Sequence, residues 1–328
     1  MQKLINRPID TVAESLQGLE FAHKQILRVS HKLRFVYRAD APVRGKVAVV
    51  SGSGSGHEPL NVGYVGRGML DAACLGDVFT SPTPMQYLAA TEMVQGGAGV
   101  LYVVKNHTGG VLNMEIAMEM AAEKNIEVKT VLVNDDVAVD NAANRRGLGA
   151  AIFVEKIAGA AAERGYTLDQ VQAVAQRSST QCRSMGVALT SCILPNVGRP
   201  TFDLPANEME IGVGIHGERG RQRIPSATAD QVVEMLLEPI MADLEVHAGD
   251  HMLVLVSGLG GTPQQELYIV YRHLHELLTM RGVVIEQQLI GNYITSLEMA
   301  GCAVTLMRVD PELLELWNAP VHTPTLWW

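Results

Sequence analysis

Ser51-Gly52-Ser53-Gly54-Ser55-Gly56-His57-Glu58-Pro59 follows directly on the apolar run Val47-Ala48-Val49-Val50. The run has the length and β-branched content of a buried strand. Three alternating glycines after such a strand let backbone approach a small ligand closely. His57 adds the side chain that titrates near neutrality. The segment therefore predicts a site, and it excludes two common phosphate loops. His57 stands where G-x-G-x-x-G needs its third glycine, and no G-x-x-x-x-G-K-[ST] occurs in the chain.

Outward from this strand, short apolar runs alternate with longer amphipathic ones. Strands are predicted over 46–50, 100–104, 128–133, 187–194, 209–215, 252–256, 283–290 and 303–309. Helices are predicted over 11–25, 113–124, 148–164, 168–183, 229–244, 263–280 and 311–317. Thr11 with Glu14 fits a capping box, Asp310-Pro311 fits a helix start, and Gly165 and Gly282 fit helix stops. Strand–helix alternation predicts an α/β fold with mostly buried sheets. A seam after the paired helices divides the chain into two α/β lobes, 1–183 and 184–328. No internal repeat or low-complexity tract is visible.

Composition narrows the function. The 328 residues are 47% hydrophobic and 19% charged, which predicts a substantial core. Aromatics are 5% and the formal charge is −9, which argues against nucleic-acid or anionic-membrane binding. The start, Met1-Gln2-Lys3-Leu4-Ile5-Asn6-Arg7-Pro8, lacks the apolar core of a signal peptide. No run reaches the roughly 18 apolar residues of a membrane span. Cys74, Cys182, Cys192 and Cys302 form no C-x-x-C pair, so they read as reduced core thiols of a cytoplasmic protein. No zinc or iron–sulfur spacing is present, and no metal ligand is assigned.

Two further segments stand out. Lys105-Asn106-His107-Thr108-Gly109-Gly110 follows a predicted strand, where open α/β sheets place ligand contacts; a solvated strand-to-helix turn is the plainer reading. In Glu210-Ile211-Gly212-Val213-Gly214-Ile215-His216-Gly217-Glu218, a strand ends at a histidine bracketed by glycines; a turn histidine bonded to backbone is the plainer reading there. Asp135-Asp136 after a strand suits a cation, or more simply solvated or capping acids. The remaining histidines and the methionines from Met114 to Met120 read as surface and packing residues.

These residues, taken together, resemble a known family: the DhaK (DAK1) subunits of dihydroxyacetone kinase, of the bacterial phosphotransferase-system-dependent type. The likeness runs nearly end to end. It is carried by Arg38-Ala39-Asp40-Ala41-Pro42-Val43, Gly54-Ser55-Gly56-His57-Glu58-Pro59, Phe79-Thr80-Ser81-Pro82-Thr83-Pro84, Lys105-Asn106, Asp135-Asp136-Val137-Ala138-Val139, Gly212-Val213-Gly214-Ile215-His216-Gly217-Glu218 and Ala319-Pro320-Val321-His322-Thr323-Pro324. The resemblance implies a cytoplasmic homodimer of two-lobed subunits with mixed, mostly buried sheets and flanking helices. It implies dihydroxyacetone, or a similar small ketose, held as a hemiaminal on His216. It implies contacts from Gly54, Ser55, Gly56, His57 and Lys105, with His57 assisting proton transfer. It implies no cofactor on this chain: ADP and magnesium belong to a separate DhaL-type subunit, recharged by DhaM.

The chain departs from the family at three places. The motif K-N-Y-T-G-D carries an aspartate that bonds substrate and is a candidate general base; here that position is Gly110, and the tyrosine position is His107. Ser53 replaces a usual glycine. A positioned acid–base group contributes about 10²–10⁴-fold. Three readings stay open at this stage: a working kinase subunit, in which His57 or His107 takes the proton or a different ketose is the substrate; a silent DhaQ-like paralogue that binds dihydroxyacetone and acts as a regulatory coactivator; and an assembly partner without ligand.

Overall fold

The computed structural model describes residues 3–218 and 220–328. It has two compact units, each built on a six-stranded mixed sheet with flanking helices, as the α/β reading expects. The units are interleaved in sequence. The first comprises Met1–Val133, Ala151–Arg177 and Leu313–Trp328, and the second Asn134–Ala150 and Ser178–Glu312. The contiguous division at 183/184 is thereby corrected. Residues 134–150 and 313–328 each pack with the unit that is distant in sequence, which hydropathy patterning does not register.

The first unit orders its strands β1-β2-β4-β3-β5-β6. These are β1 (Leu27–Ser30), β2 (Phe35–Arg38), β3 (Ala48–Ser55), β4 (Ala72–Val78), β5 (Val100–Lys105) and β6 (Val128–Val133). β3, β4, β5 and β6 run parallel, and β1 and β2 extend the sheet antiparallel. β5 lies buried along its length and reads as unbroken Val-Leu-Tyr-Val-Val, as interior parallel strands do. α1 (Thr11–His23), α2 (Pro84–Val94), α3 (Thr108–Ala122), most of α4 (Ala150–Glu163) and the end of α8 (Pro311–Trp317) belong to this unit. One core gathers Val50, Cys74, Tyr87, Tyr102, Met114 and Ala117 between the sheet and helices α2 and α3. The expected Thr11–Glu14 box is not formed. α1 has no side-chain cap bond, and Glu14 instead accepts from Asn6 Nδ2 at 3.0 Å.

The second unit orders its strands β11-β10-β12-β7-β8-β9: β7 (Cys182–Ala188), β8 (Glu208–Ile211), β9 (Gln222–Pro225), β10 (His251–Gly258), β11 (Val284–Gly291) and β12 (Gly301–Arg308). Only β10 and β11 are parallel neighbours. α6 (Ala229–Leu244) opens with a formed capping box, Thr228 with Gln231. With α7 (Gln264–Met280) it covers a core of Val187, Leu236, Ile240, Val254, Leu274 and Val304. α5 (Leu168–Thr180), most of which belongs to the first unit, ends earlier than expected because Cys182 already pairs with Met307 in the second unit's sheet. Gly165 and Gly282 sit at φ 76° and 74° beyond α4 and α7, the left-handed conformation of a helix stop. All four cysteines are free and buried. Among the described residues, no helix is long and apolar enough to cross a membrane.

Candidate functional site

In the first unit, β3 carries the glycine segment further into the sheet than expected. Ser51 to Ser55 are strand residues paired with β4, and a register shift at Gly54/Ser55 marks the exit. A Cβ at Gly52 meets Tyr87 Oη at 2.7 Å and the Cys74 carbonyl at 2.8 Å; one at Gly54 meets the Thr80 amide nitrogen at 2.5 Å. These two glycines therefore admit neighbouring protein segments, and the residues beyond them form the turn. There Glu58 organises the backbone: Ser55 Oγ and the Gly56 N–H donate to its two oxygens, each at 2.7 Å. Gly56 takes φ 103°, which suits glycine alone. His57 is wholly buried and stacks on Phe79, with ring centroids 4.9 Å apart and planes 7° apart.

Lys105 ends β5 and points into the same interior. Its Nζ donates to the Gly52 carbonyl at 3.3 Å and to Asn61 Oδ1 at 3.2 Å. Asn61 Oδ1 also accepts from Ser53 Oγ at 2.9 Å, while Asn61 Nδ2 donates to Ser51 Oγ at 3.0 Å and Glu155 Oε1 at 2.5 Å. Burial pushes the Lys105 ammonium down to about 8 against the opposing pull of Glu155, and pushes the Glu155 carboxyl up to about 7 against that of Lys105. The structure thus joins Ser51, Gly52 and Ser53 of β3 to Lys105, with Asn61 as the hub and Glu155 bonded to it; neither Asn61 nor Glu155 is singled out by the sequence. A charged pair, Glu155-Lys156, set between the apolar runs 150–154 and 157–162 is the available signal: a helix buried all round must partner its charges. Gly110 lies in the first turn of α3, where a Cβ has Lys105 O at 3.8 Å and Ser81 Oγ at 3.9 Å as its nearest neighbours. The position has room for a side chain.

In the second unit, the strand expected to reach 215 stops at Ile211. Gly212 turns the chain at φ 78° with Ala138 and Arg221 pressed against it. His216 follows in a turn, half-buried. Its Nδ1 lies 2.8 Å from Glu218 Oε1, and its backbone N–H donates to Glu218 Oε2 at 2.9 Å. Gly214 leaves the room this needs, since a Cβ there meets Glu218 Oε2 at 2.2 Å and an Arg146 guanidinium nitrogen at 2.7 Å. A carboxylate on Nδ1 holds the proton on that nitrogen and leaves Nε2 with the lone pair, the tautomer of a nucleophilic imidazole. Glu218 stood in the quoted motif and was given no role there; its place is that of an orienting group. Asp135 and Asp136 prove to be buried capping residues rather than solvated ones. Asp135 accepts from the Leu148 and Ala150 N–H groups at 2.7 and 3.0 Å, and Asp136 from the Ala138 N–H at 3.0 Å and Arg146 Nε at 2.7 Å.

Comparison with known proteins places this geometry in a lineage. The Dak1 domain matches residues 17–325. The dihydroxyacetone-binding subunit DhaK of the PEP-dependent dihydroxyacetone kinase of Escherichia coli is 44% identical, with 100% of this chain and 99% of that protein covered. The corresponding subunit of PTS-dependent dihydroxyacetone kinase 1 of Listeria innocua is 42% identical, covering 98% and 99%. Among solved structures, the dihydroxyacetone kinase operon co-activator Dha-DhaQ superposes with a TM-score of 0.91 at 31% identity, covering 95% of this chain and 97% of that one. On the domain match and the full-length identity together, the chain belongs to the Dak1 domain family.

Proposed function

We propose that this chain is the substrate-binding subunit of a phosphotransferase that phosphorylates dihydroxyacetone or a related small ketose. The His216–Glu218 pair carries the reading. With Nδ1 on the carboxylate, Nε2 attacks the ketone carbon. The N–C bond forms as the carbonyl π pair moves onto oxygen; that oxygen takes a proton from water, and the Nδ1 proton leaves through Glu218 to solvent, so the neutral hemiaminal forms with no net gain or loss of protons. A reversible bond suits a ligand of about six heavy atoms, since even the best small ligands gain only about 1.5 kcal/mol per atom. It also rejects alcohols that have no carbonyl. Gly54, Ser55, Gly56 and Lys105 contact the substrate, and His57 takes part in proton transfer at the attacking hydroxyl. Phosphoryl transfer then depends on positioning and charge. ADP and magnesium sit on a DhaL-type partner recharged by DhaM, this subunit is a cytoplasmic homodimer, and its own sequence has no phosphate-binding loop.

NMR with dihydroxyacetone labelled at the carbonyl carbon tests the covalent step. The protein-bound resonance is expected at a tetrahedral shift in the parent and to be absent in His216→Ala. A bound resonance that stays at the ketone shift, or an adduct that survives in His216→Ala, rejects the assignment. A second reading has its own support: Gly110 stands where the family motif carries an aspartate by the resemblance above, and Dha-DhaQ superposes closely. In that reading the chain binds dihydroxyacetone and acts as a regulatory coactivator without turnover. Mixing the chain with a DhaL-type subunit and a phosphoryl donor separates the two. Ketose-dependent phosphate transfer supports the kinase, and adduct formation with no transfer across three- and four-carbon ketoses supports the coactivator.

A further inference from the structure

Asn61 has every hydrogen-bonding group of its amide engaged. Its two N–H bonds go to Ser51 and Glu155, and its oxygen accepts from Lys105 and Ser53. An ammonium can only donate and a carboxylate can only accept, so these two ends dictate which way the amide faces. Turned over, it would present N–H groups to Lys105 and its oxygen to Glu155. Glu155 itself is fully buried on α4, and among the described residues its Oε2 has no hydrogen-bond partner. A carboxylate buried with one bare oxygen is costly. A glutamine would hold Asn61 equally well through its amide oxygen, so the hydrogen bond alone does not account for the charge. Lys105 accounts for it. The ammonium uses two of its three N–H bonds on Gly52 and Asn61.

We propose that Glu155 is a positioning residue for Lys105: it fixes the Asn61 carbonyl on the ammonium and supplies the counter-charge that keeps the third N–H available to a substrate oxygen. The inference rests on the substrate-contact reading of Lys105 above. Among the described residues, Glu155 is the charged group acting on Lys105 and Lys105 the one acting on Glu155, with Ser51 and Asn61 the polar groups beside the carboxylate and Asn61 Nδ2 bonded to it. Ser53 feeds the same Asn61 oxygen and so belongs to this network.

The direct test is a titration of Lys105 by NMR in protein labelled at the lysine Cε, with the resonance assigned by its loss in Lys105→Met. In the parent its midpoint is expected near 8. Glu155→Gln is expected to lower that midpoint by about one pH unit or more, and Glu155→Asp to restore most of it. Reciprocally, Lys105→Met is expected to raise the midpoint of the Glu155 carboxyl. An unmoved Lys105 midpoint in Glu155→Gln, or an unmoved Glu155 midpoint in Lys105→Met, overturns the proposal. The second arm decides it alone if Glu155→Gln does not fold. Dihydroxyacetone affinity against pH supplies the separate check: its alkaline loss is expected to follow the Lys105 midpoint downward in Glu155→Gln. Affinity indifferent to Lys105→Met, with the midpoints coupled as stated, upholds the Glu155–Lys105 pair and rejects Lys105 as the substrate contact.

Discussion

Position 110 is open space on a helix that starts poorly. His107 precedes α3 without a side-chain cap bond, and a Cβ at Gly110 clears its neighbours by ordinary van der Waals distances. An aspartate here lies in the first turn, where a negative charge is worth about 0.3–1 kcal/mol, and it replaces a helix residue that costs about 1 kcal/mol relative to alanine. Gly110→Asp is therefore expected to leave the thermal midpoint unchanged or raise it. Dihydroxyacetone turnover in the reconstituted system is expected to rise about 10²-fold, the lower end of a positioned acid–base group. The two measurements together separate chemistry from folding, and a stable variant with unchanged turnover shows a site rebuilt for other work. His57 and His216 stand out as candidates in the sequence because each follows an apolar run and sits among glycines, and Lys105 because it closes the apolar run 100–104. Asn61 and Glu155 are not. Asn61 looks like any polar turn residue, and the apolar setting of Glu155 and Lys156 marks buried charges without naming their partners.

At the level of elements, the same helix α4 holds a second buried charge. Lys156 donates to the Leu316 carbonyl of α8 at 2.9 Å and lies 5.7 Å from the centroid of the Trp328 ring. Burial, with Arg164 acting in the same direction, pushes it down to about 7 from the ordinary 10.5. Between these values the unfolded chain holds a proton that the folded chain has lost. The stability Lys156 contributes is thus present above 10.5 and lost as pH falls through about 7. Lys156→Met is expected to flatten the rise of stability with pH across that window, a slope of at most about 1.4 kcal/mol per pH unit. Denaturant midpoints of both proteins over the window check this, and parallel curves reject it. Elements with strong patterns were readable: β6 and α6 fall at their expected limits. Those set by pairing were not. β1 and β2 have four residues each, and β4 reads Ala-Ala-Cys-Leu-Gly-Asp-Val. The Arg38-Ala39-Asp40 motif proves structural: Arg38 is buried against Asp40 at 2.8 Å and Asp71 at 3.1 Å, and Lys46 joins Asp71 at 2.6 Å.

On the scale of the whole molecule, residues 313–328 belong to the same unit as residues 3–133. Residues 320–328 pair with the loop after β3: the His322 N–H donates to Arg67 O at 2.9 Å and the Thr325 N–H to Gly63 O at 3.1 Å, while Val321 and Leu326 are buried. Two buried aliphatic side chains contribute about 1.5–3 kcal/mol each and two backbone bonds about 1 kcal/mol each. Removing 320–328 is therefore expected to destabilise the first unit by on the order of 5 kcal/mol. Chemical unfolding followed by circular dichroism measures it; a change below about 1 kcal/mol rejects the estimate.

Local pattern was enough for the α/β class and for most of the longer helices and strands, and it nominates three candidate site side chains, because hydrophobic period, glycine spacing and helix stops act over a few residues. Which segments share a unit, how far β3 runs before the turn, and which buried charges meet were settled by folding alone. Asn61, Lys105 and Glu155 meet across separations of 44 and 94 residues. Charges so far apart in the chain show no mutual signature until burial removes water and obliges them to pair.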